Sequence, residues 1–247
     1  MKKIFLFCLI SCMLFSLCAC GGAPEGSFES NLKNSIETGN TTNVEDAHDH
    51  EHTSDTSEGA SAIATPEEQE ITYSTEVLAD LKDKYIAEIT VQDYGVITVE
   101  LDSTYAPITV SNFVTLAKEG FYDGLTFHRI MKGFMMQGGD PEGTGFGGSE
   151  KSIKGEFVNN GVENNLSHTR GVISMARATD MNSASSQFFI MHSDAPYLDG
   201  AYASFGKVVK GMEIVDSICS DANPTDDNGT IPSEVQPVIT SIKIIEE

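Results

Sequence analysis

A single arginine stands in the middle of a strongly apolar stretch of the sequence. The stretch runs from Leu125 to Asp140 and reads LTFHRIMKGFMMQGGD, so that Arg129 is surrounded by phenylalanine, isoleucine and methionine. Burying a guanidinium costs free energy unless its N–H donors find acceptors. Unless Arg129 points to solvent from one face of a strand, the pattern indicates either a structural ion pair or a cation that acts on a bound molecule.

Three histidines near the N-terminus are a second candidate for chemistry. His48, His50 and His52 alternate with acidic residues and could together hold Zn²⁺ or a similar ion weakly. Ligands on a flexible chain lose conformational entropy when they bind, and no second cluster supports them. A solvated polar segment is therefore the favoured interpretation, and the histidines are only weak metal candidates.

The elements that must position Arg129 are mostly short strands. Alternating apolar residues predict a hairpin around a turn at 93–95, and further strands are predicted within 121–137, 170–175, 187–191 and 238–245. Helical spacing predicts one helix from Pro107 to Gly120 and another within Val208–Cys219. Many short strands with two helices favour a closed antiparallel barrel that begins near Lys84. A short helix over 71–81 would lead into it.

Five sequence blocks occur in a fixed order along this region: FHRI…GFMMQGGD, ISMA, SSQFFI, YLDG and FGKV. In this order they resemble the cyclophilin-type peptidyl-prolyl isomerases, over roughly Lys84 to Ile245. The resemblance implies a mainly β fold, a closed eight-stranded antiparallel barrel capped by two α-helices. It also implies a substrate groove on the outside of the barrel, because side chains fill the interior.

The resemblance assigns roles to individual positions. Arg129 would be the catalytic donor, and neither a cofactor nor a metal is required. The proline ring would lie in an apolar pocket, and the peptide backbone would dock along the adjoining groove. The implied substrate-binding residues are Phe134, Met135, Gln137, Ala176, Arg177, Ala178, Gln187, Phe189, Tyr197, Leu198, Tyr202 and His128. Gln137 would hold Arg129 or the substrate carbonyl, and His128 is either a structural neighbour or a contact.

Three positions differ from the commonest animal pattern of this family. Tyr197 replaces a usual Trp, Tyr202 a usual His and Arg177 a usual Asn, and the whole chain contains no Trp. Losing the indole N–H puts tight cyclosporin binding in doubt. Neither Arg129 nor the apolar pocket is removed, so the expected activity is peptidyl-prolyl isomerisation. The alternative is a binding or chaperone module that has lost turnover.

The N-terminal third is predicted to target and tether the domain. Lys2 and Lys3 precede an apolar run that is short for a membrane span, and the following LCACG resembles a bacterial lipobox with Cys20 as the lipidated residue. An ordinary cleaved signal, or Cys18 as the modified residue, is the alternative. We expect residues 1–19 to be a lipoprotein signal peptide, 20–83 a flexible acidic linker and 84–247 the isomerase domain.

The net charge and the predicted export of the domain limit the classes of binding partner. The chain carries 37 acidic and 15 basic residues and a formal charge of −22, which disfavours nucleic acid and attachment to anionic lipid through a basic patch. The expected partners are proline-containing peptides and unfolded exported proteins. We expect a monomer on the extracytoplasmic face of the cell membrane, held by its lipid anchor.

Overall fold

The first two strands show how the sequence pattern builds the fold. The computed structural model describes residues 73–245. Strands β1 (Lys84–Val91) and β2 (Gly95–Asp102) form the predicted hairpin, and alternate residues of β1, from Tyr85 to Val91, are buried. Successive side chains of a strand point to opposite faces, so period-two alternation places one apolar row inside.

Six further strands and two helices complete the domain. They are α1 (Pro107–Lys118), β3 (Thr126–Met131), β4 (Met135–Asp140), β5 (Val172–Met175), β6 (Phe188–Met191), β7 (Ser204–Lys210), α2 (Met212–Asp221) and β8 (Ile239–Ile245). All strand pairs are antiparallel, and the order across the sheet is β3-β4-β6-β5-β7-β2-β1-β8.

The sheet curls but its ladder does not close, so the expectation of a closed barrel is wrong in this respect. The end strands β3 and β8 share no ladder. The segment before β8 occupies the free edge of β3, where the N–H of Ile130 donates to the Gly229 carbonyl at 2.8 Å and the N–H of Ile231 donates to the His128 carbonyl at 2.9 Å. Near β8 itself, only an isolated bridge between Thr126 and Val238 and a few flanking backbone bonds join the two edges. The result is an eight-stranded antiparallel half-barrel.

Aromatic side chains fill the concave interior. Phe113 of α1 lies 5.1 Å from the ring of Tyr122, 5.5 Å from that of Phe188 and 5.3 Å from that of Phe205. These four residues and Phe127 are fully buried. Because this cluster occupies the interior, a peptide can reach only the outer surface of the sheet.

The two helices begin where local chemistry allows. Pro107 opens α1, where its missing N–H leaves no unpaired donor, and the Glu156 carboxylate accepts from the backbone N–H groups of Ile108 and Thr109 at 3.0 and 2.7 Å. Helix α2 begins later than predicted because 208–210 belong to β7 and Gly211, with a φ of 90°, makes the turn between them.

The segment before β1 packs on the domain without forming a helix. The helix predicted over 71–81 is absent from 73–81, and Ser74 instead pairs with Ile153 in a parallel bridge. Leu78 and Leu81 pack against the core. Within 73–245 no helix is long and apolar enough to cross a membrane. The predicted signal peptide, Cys20, most of the linker and the three histidines at 48, 50 and 52 lie outside the described residues.

Candidate functional site

Arg129 is positioned by the β3–β4 hairpin. In this pair Arg129 lies directly opposite Gln137, so the two side chains share one face of the sheet. A bulge between Phe127 and Arg129 separates the inward-facing Phe127 from Arg129, which is only partly buried. Partial burial lowers the pKa of Arg129 from its ordinary value, but an arginine keeps its charge throughout the physiological range.

The guanidinium of Arg129 is fixed at one nitrogen and loosely held at the other two. Its Nε donates to the Asn228 carbonyl at 2.7 Å, and Nη1 donates to Gln137 Oε1 at 3.2 Å. The other contacts are thioether sulfurs, namely Met131 at 3.3 Å from Nη2 and Met135 at 4.0 Å from Nη1. Since thioethers are weak acceptors, a substrate oxygen or nitrogen could replace them at little cost.

A relay of two glutamines joins Arg129 to the glycine-rich loop that follows β4, residues 141–148. Gln137 accepts from Arg129 and donates through Nε2 to Gln187 Oε1 at 2.8 Å, while Gln187 Nε2 donates to the carbonyls of Gly145 and Gly147 at 3.1 and 2.7 Å. Each amide thus has one consistent orientation. The relay ties the position of the catalytic candidate to the fold of the loop.

Asp140 holds that loop in shape. Its carboxylate accepts from the backbone N–H groups of Glu142, Thr144 and Gly145, and a side chain at Gly147 would collide with it. Burial acts to raise the pKa of Asp140, but the N–H donors outweigh it and keep the pKa below its ordinary value. The loop is therefore built around a buried carboxylate.

A groove of about 160 Å³ opens next to Arg129 on the outer face of the sheet. Its lining consists of residues that the sequence had singled out, namely Arg129, Phe134, Met135, Gln137, Ala176, Arg177, Phe189, Leu198 and Tyr202. Met135 and Phe189 are almost completely buried and form an apolar floor together with Leu198. The arrangement is an apolar slot with a guanidinium at its margin.

The far side of the groove is built on Arg177. Its guanidinium carbon lies 5.2 Å from the ring centre of Phe157 and 4.9 Å from that of Tyr202. Its Nε donates to the Ala201 carbonyl at 2.9 Å, and Nη1 donates to the carbonyls of Ala178 and Thr179. Arg177 therefore serves as part of the groove wall, with its donors used by the backbone.

The remaining predicted residues lie around the groove instead of in its lining. Tyr197 is 72% exposed and stacks on Phe134 at 6.1 Å, so it forms an outer rim. Gln187 acts through the relay, and the backbone N–H of Ala178 is bonded to Ser183. His128 is buried close to Gly145 and is not part of the groove lining.

Sequence reasoning missed a polar network behind the floor. His168 stacks on Phe189 at 6.0 Å, and its ring nitrogens lie 2.8 Å from Asp199 Oδ1 and 3.0 Å from Ser174 Oγ. Burial lowers the pKa of His168 despite the opposing effect of the Asp199 carboxylate. Asp199 and Ser174 each lie in one of the five blocks beside a predicted residue, whereas His168 lies outside all five. No spacing signal connects His168 with either residue, because they meet only in the folded chain.

An outer-surface slot for a small apolar ring, with a guanidinium donor beside it, defines the class of site expected of an isomerase that acts on prolyl bonds. Comparisons with known proteins agree with this class. Residues 86–244 match the family model described as cyclophilin type peptidyl-prolyl cis-trans isomerase/CLD. The chain belongs to this family.

Individual relatives support the assignment over most of their length. A Neurospora crassa protein named peptidyl-prolyl cis-trans isomerase-like 1 is 45% identical over 154 residues, which are 62% of this chain and 90% of the relative. Peptidyl-prolyl cis-trans isomerase B of Bacillus subtilis is 43% identical over 145 residues, 59% of this chain and 92% of that protein.

A solved structure is similar in fold as well. The crystal structure of a Cryptosporidium parvum cyclophilin type isomerase, determined in the presence of the dipeptide Ala-Pro, matches with a TM-score of 0.58 and 32% identity. The match covers 66% of this chain and 99% of the other. The similarity extends over the whole of the related domain.

Proposed function

We propose that this protein is a peptidyl-prolyl cis-trans isomerase that acts on exported proteins while it is held by a lipid anchor at the outer face of the cell membrane. Membership of the isomerase family supports the enzymatic part. The observation that carries it is the placement of Arg129 at the margin of an apolar slot. The client class and the anchor are supported by the N-terminal sequence alone.

The reaction explains why one guanidinium is enough. Rotation about an X–Pro bond has a barrier of about 18–20 kcal/mol because the twisted amide loses its resonance. In the twisted state the proline nitrogen regains a lone pair that can accept a hydrogen bond. A donor aimed at this nitrogen stabilises the twisted state more than the planar one, which is the condition for catalysis. No bond is broken, so the step needs no nucleophile.

The described contacts suit Arg129 to this task. Its Nε bond to the Asn228 carbonyl fixes the plane of the guanidinium, while the Nη groups contact sulfurs and one amide oxygen. The Nη2 donors, whose described partner is the thioether of Met131, can bond the substrate without leaving a strong acceptor unpaired. The proline ring would lie on Phe134, Met135 and Phe189, and the preceding carbonyl would accept from the Gln137 side of the relay.

An isomerisation assay on two chains distinguishes an enzyme from a binding module. The full chain and Arg129→Ala should be compared on a proline-containing peptide whose cis and trans forms are followed by exchange NMR. We expect acceleration by the wild-type chain and a large loss in the variant. Binding of the peptide without acceleration by either chain would instead establish the non-catalytic module.

The anchor is tested separately. Expression of the full chain in a bacterium with a lipoprotein pathway should attach labelled fatty acid to the wild-type chain and not to Cys20→Ala. The Cys18→Ala variant is the matched control and should still be labelled. If Cys18→Ala loses the label and Cys20→Ala keeps it, the lipidated residue is Cys18. If the wild-type chain is not labelled, the proposal of a lipid anchor is contradicted.

A further inference from the structure

The turn that carries Phe134 is fastened to the residues that follow β6. The backbone N–H of Gly133 donates to His192 Nδ1 at 2.9 Å. In return, the Phe134 carbonyl accepts from the backbone N–H groups of His192 and Ser193 at 2.9 and 3.2 Å. The latter two bonds could be made by any residue type except proline, whereas the first requires a side-chain acceptor at position 192.

The Gly133 bond fixes the protonation state of His192. A backbone N–H can only donate, so Nδ1 must be the unprotonated nitrogen and the proton of the neutral ring lies on Nε2. This Nε2 faces Asp216 of α2, with the carboxylate oxygen at 3.4 Å. A second proton would have to bind Nδ1, where it would point at the Gly133 N–H and remove the bond.

Charged groups of both signs surround the ring. Asp216 on α2 favours the imidazolium, while Arg170 before β5 and Lys132 in the turn disfavour it. Arg170 also donates to the His192 carbonyl at 2.7 Å and lies 2.7 Å from the Asp216 carboxylate, and its backbone N–H is bonded to Asp194. Burial has the largest effect, so the pKa of His192 lies below its ordinary value.

The fastened turn bears directly on the groove. Phe134 lines the groove, with its ring 6.0 Å from the Arg129 guanidinium carbon and 6.1 Å from the ring of Tyr197. Gly133 adopts a φ of 85°, and the β3–β4 turn contains only three residues between its strands. Loss of the hydrogen bond from Gly133 to His192 would therefore increase the mobility of the turn directly beside Phe134, which lines the groove.

We infer that neutral His192 is a positioning residue that latches the β3–β4 turn, and that protonation of His192 on acidification releases the turn and weakens substrate binding on Phe134. The inference rests on the proposed isomerase function. Since Phe134 contacts the proline ring in both the planar and the twisted state, release should raise KM more than it lowers kcat.

Two variants of similar size test the latch. His192→Asn keeps an acceptor oxygen near the position of Nδ1 and cannot be protonated, whereas His192→Leu offers no acceptor. At pH 7.5 we expect His192→Asn to keep kcat/KM close to that of the wild-type chain, and His192→Leu to lose about three- to tenfold, the factor that one lost hydrogen bond corresponds to. The loss should appear mainly in KM.

The pH profile gives the decisive comparison. As the pH falls below the ordinary histidine value of about 6.5, the wild-type kcat/KM should decline toward that of His192→Leu, while both variants lack this component. The inference is overturned if His192→Asn declines as the wild-type chain does, because another group, such as His128 or His168, would then be responsible.

An NMR titration of the full chain tests the latch without turnover. We expect the His192 ring to carry its proton on Nε2 at neutral pH, and the Gly133 amide to shift with the same midpoint as the ring. A Gly133 amide that does not follow the titration of His192 contradicts the latch. If the wild-type chain shows no isomerisation, the proposed function fails, while this titration still decides whether the latch exists.

Discussion

The two sides of the groove each present an arginine, and the two are held in opposite ways. Arg129 on β3 has one strong backbone partner at Nε, while its Nη groups contact an amide and two thioethers. Arg177 donates to backbone carbonyls from both Nε and Nη1 and lies over two aromatic rings. The Nη groups of Arg129 therefore rest mainly on weak acceptors, whereas the donors of Arg177 are bonded to the backbone of the groove wall.

The difference shows that residue type alone does not identify the catalytic cation. A donor bonded to backbone carbonyls in a turn cannot leave them without exposing unpaired acceptors. A donor resting on thioethers can be transferred to a substrate at little cost. Activity should therefore depend mainly on Arg129, and the stability of the second side mainly on Arg177.

The largest expected effect is the loss of turnover in Arg129→Ala. Removing a preorganised donor to the developing lone pair should lower kcat by about 10²- to 10³-fold. Exchange NMR on a prolyl peptide measures the rate, and circular dichroism checks that the fold is kept. Arg177→Ala is the matched control and should lose far less. Equal losses in both variants would remove the distinction between the two arginines.

A smaller loss is expected when the relay behind Arg129 is cut. Gln187→Leu removes the bonds to the Gly145 and Gly147 carbonyls and to Gln137, and kcat/KM should fall about tenfold because Arg129 is held less firmly. Gln92→Leu, on the exposed β1–β2 turn, is the control and should behave as the wild-type chain. Unchanged turnover in Gln187→Leu would show that Arg129 needs no support from the loop.

Substitution of Arg177 on the second side of the groove should lower the free energy of unfolding. Arg177→Ala removes the bonds to Ala201, Ala178 and Thr179 and two ring contacts, and we expect the free energy of unfolding to fall by about 1–2 kcal/mol. Urea denaturation measures this change. Under the same conditions Arg129→Ala should be less destabilised than Arg177→Ala, and the reverse order would contradict the assignment of Arg177 to the wall.

The smallest expected effect concerns His168 behind the floor. Because burial holds the pKa of His168 below its ordinary value, the unfolded chain takes up this proton first as the pH falls. The free energy of unfolding should therefore decrease below about pH 6.5 and level off below the pKa of the folded state. Urea denaturation at several pH values should show a shallower decrease in His168→Gln. An identical pH dependence in the wild-type chain and in His168→Gln would mean that protonation of His168 does not contribute to the pH dependence of stability.

The sequence by itself predicted most of the strands and helices and the residues that line the groove. The hairpin of β1 and β2 and helix α1 follow from local periodicity and from Pro107, which act over a few residues. The five ordered blocks carried the groove residues, because Arg129, Phe134 and Gln137 lie on one short hairpin. Their proximity to each other is already set by strand pairing.

Only the tertiary structure decided how the donors of the two arginines are paired and how the sheet ends. Residues 229–231 occupy the edge of β3 and keep the ladder from closing, and His168 meets Asp199 and Ser174 through packing between distant segments. The different partners of Arg129 and Arg177 arise in the same way. Such contacts depend on where backbone carbonyls from separate loops arrive in space, and no local period in the chain encodes that position.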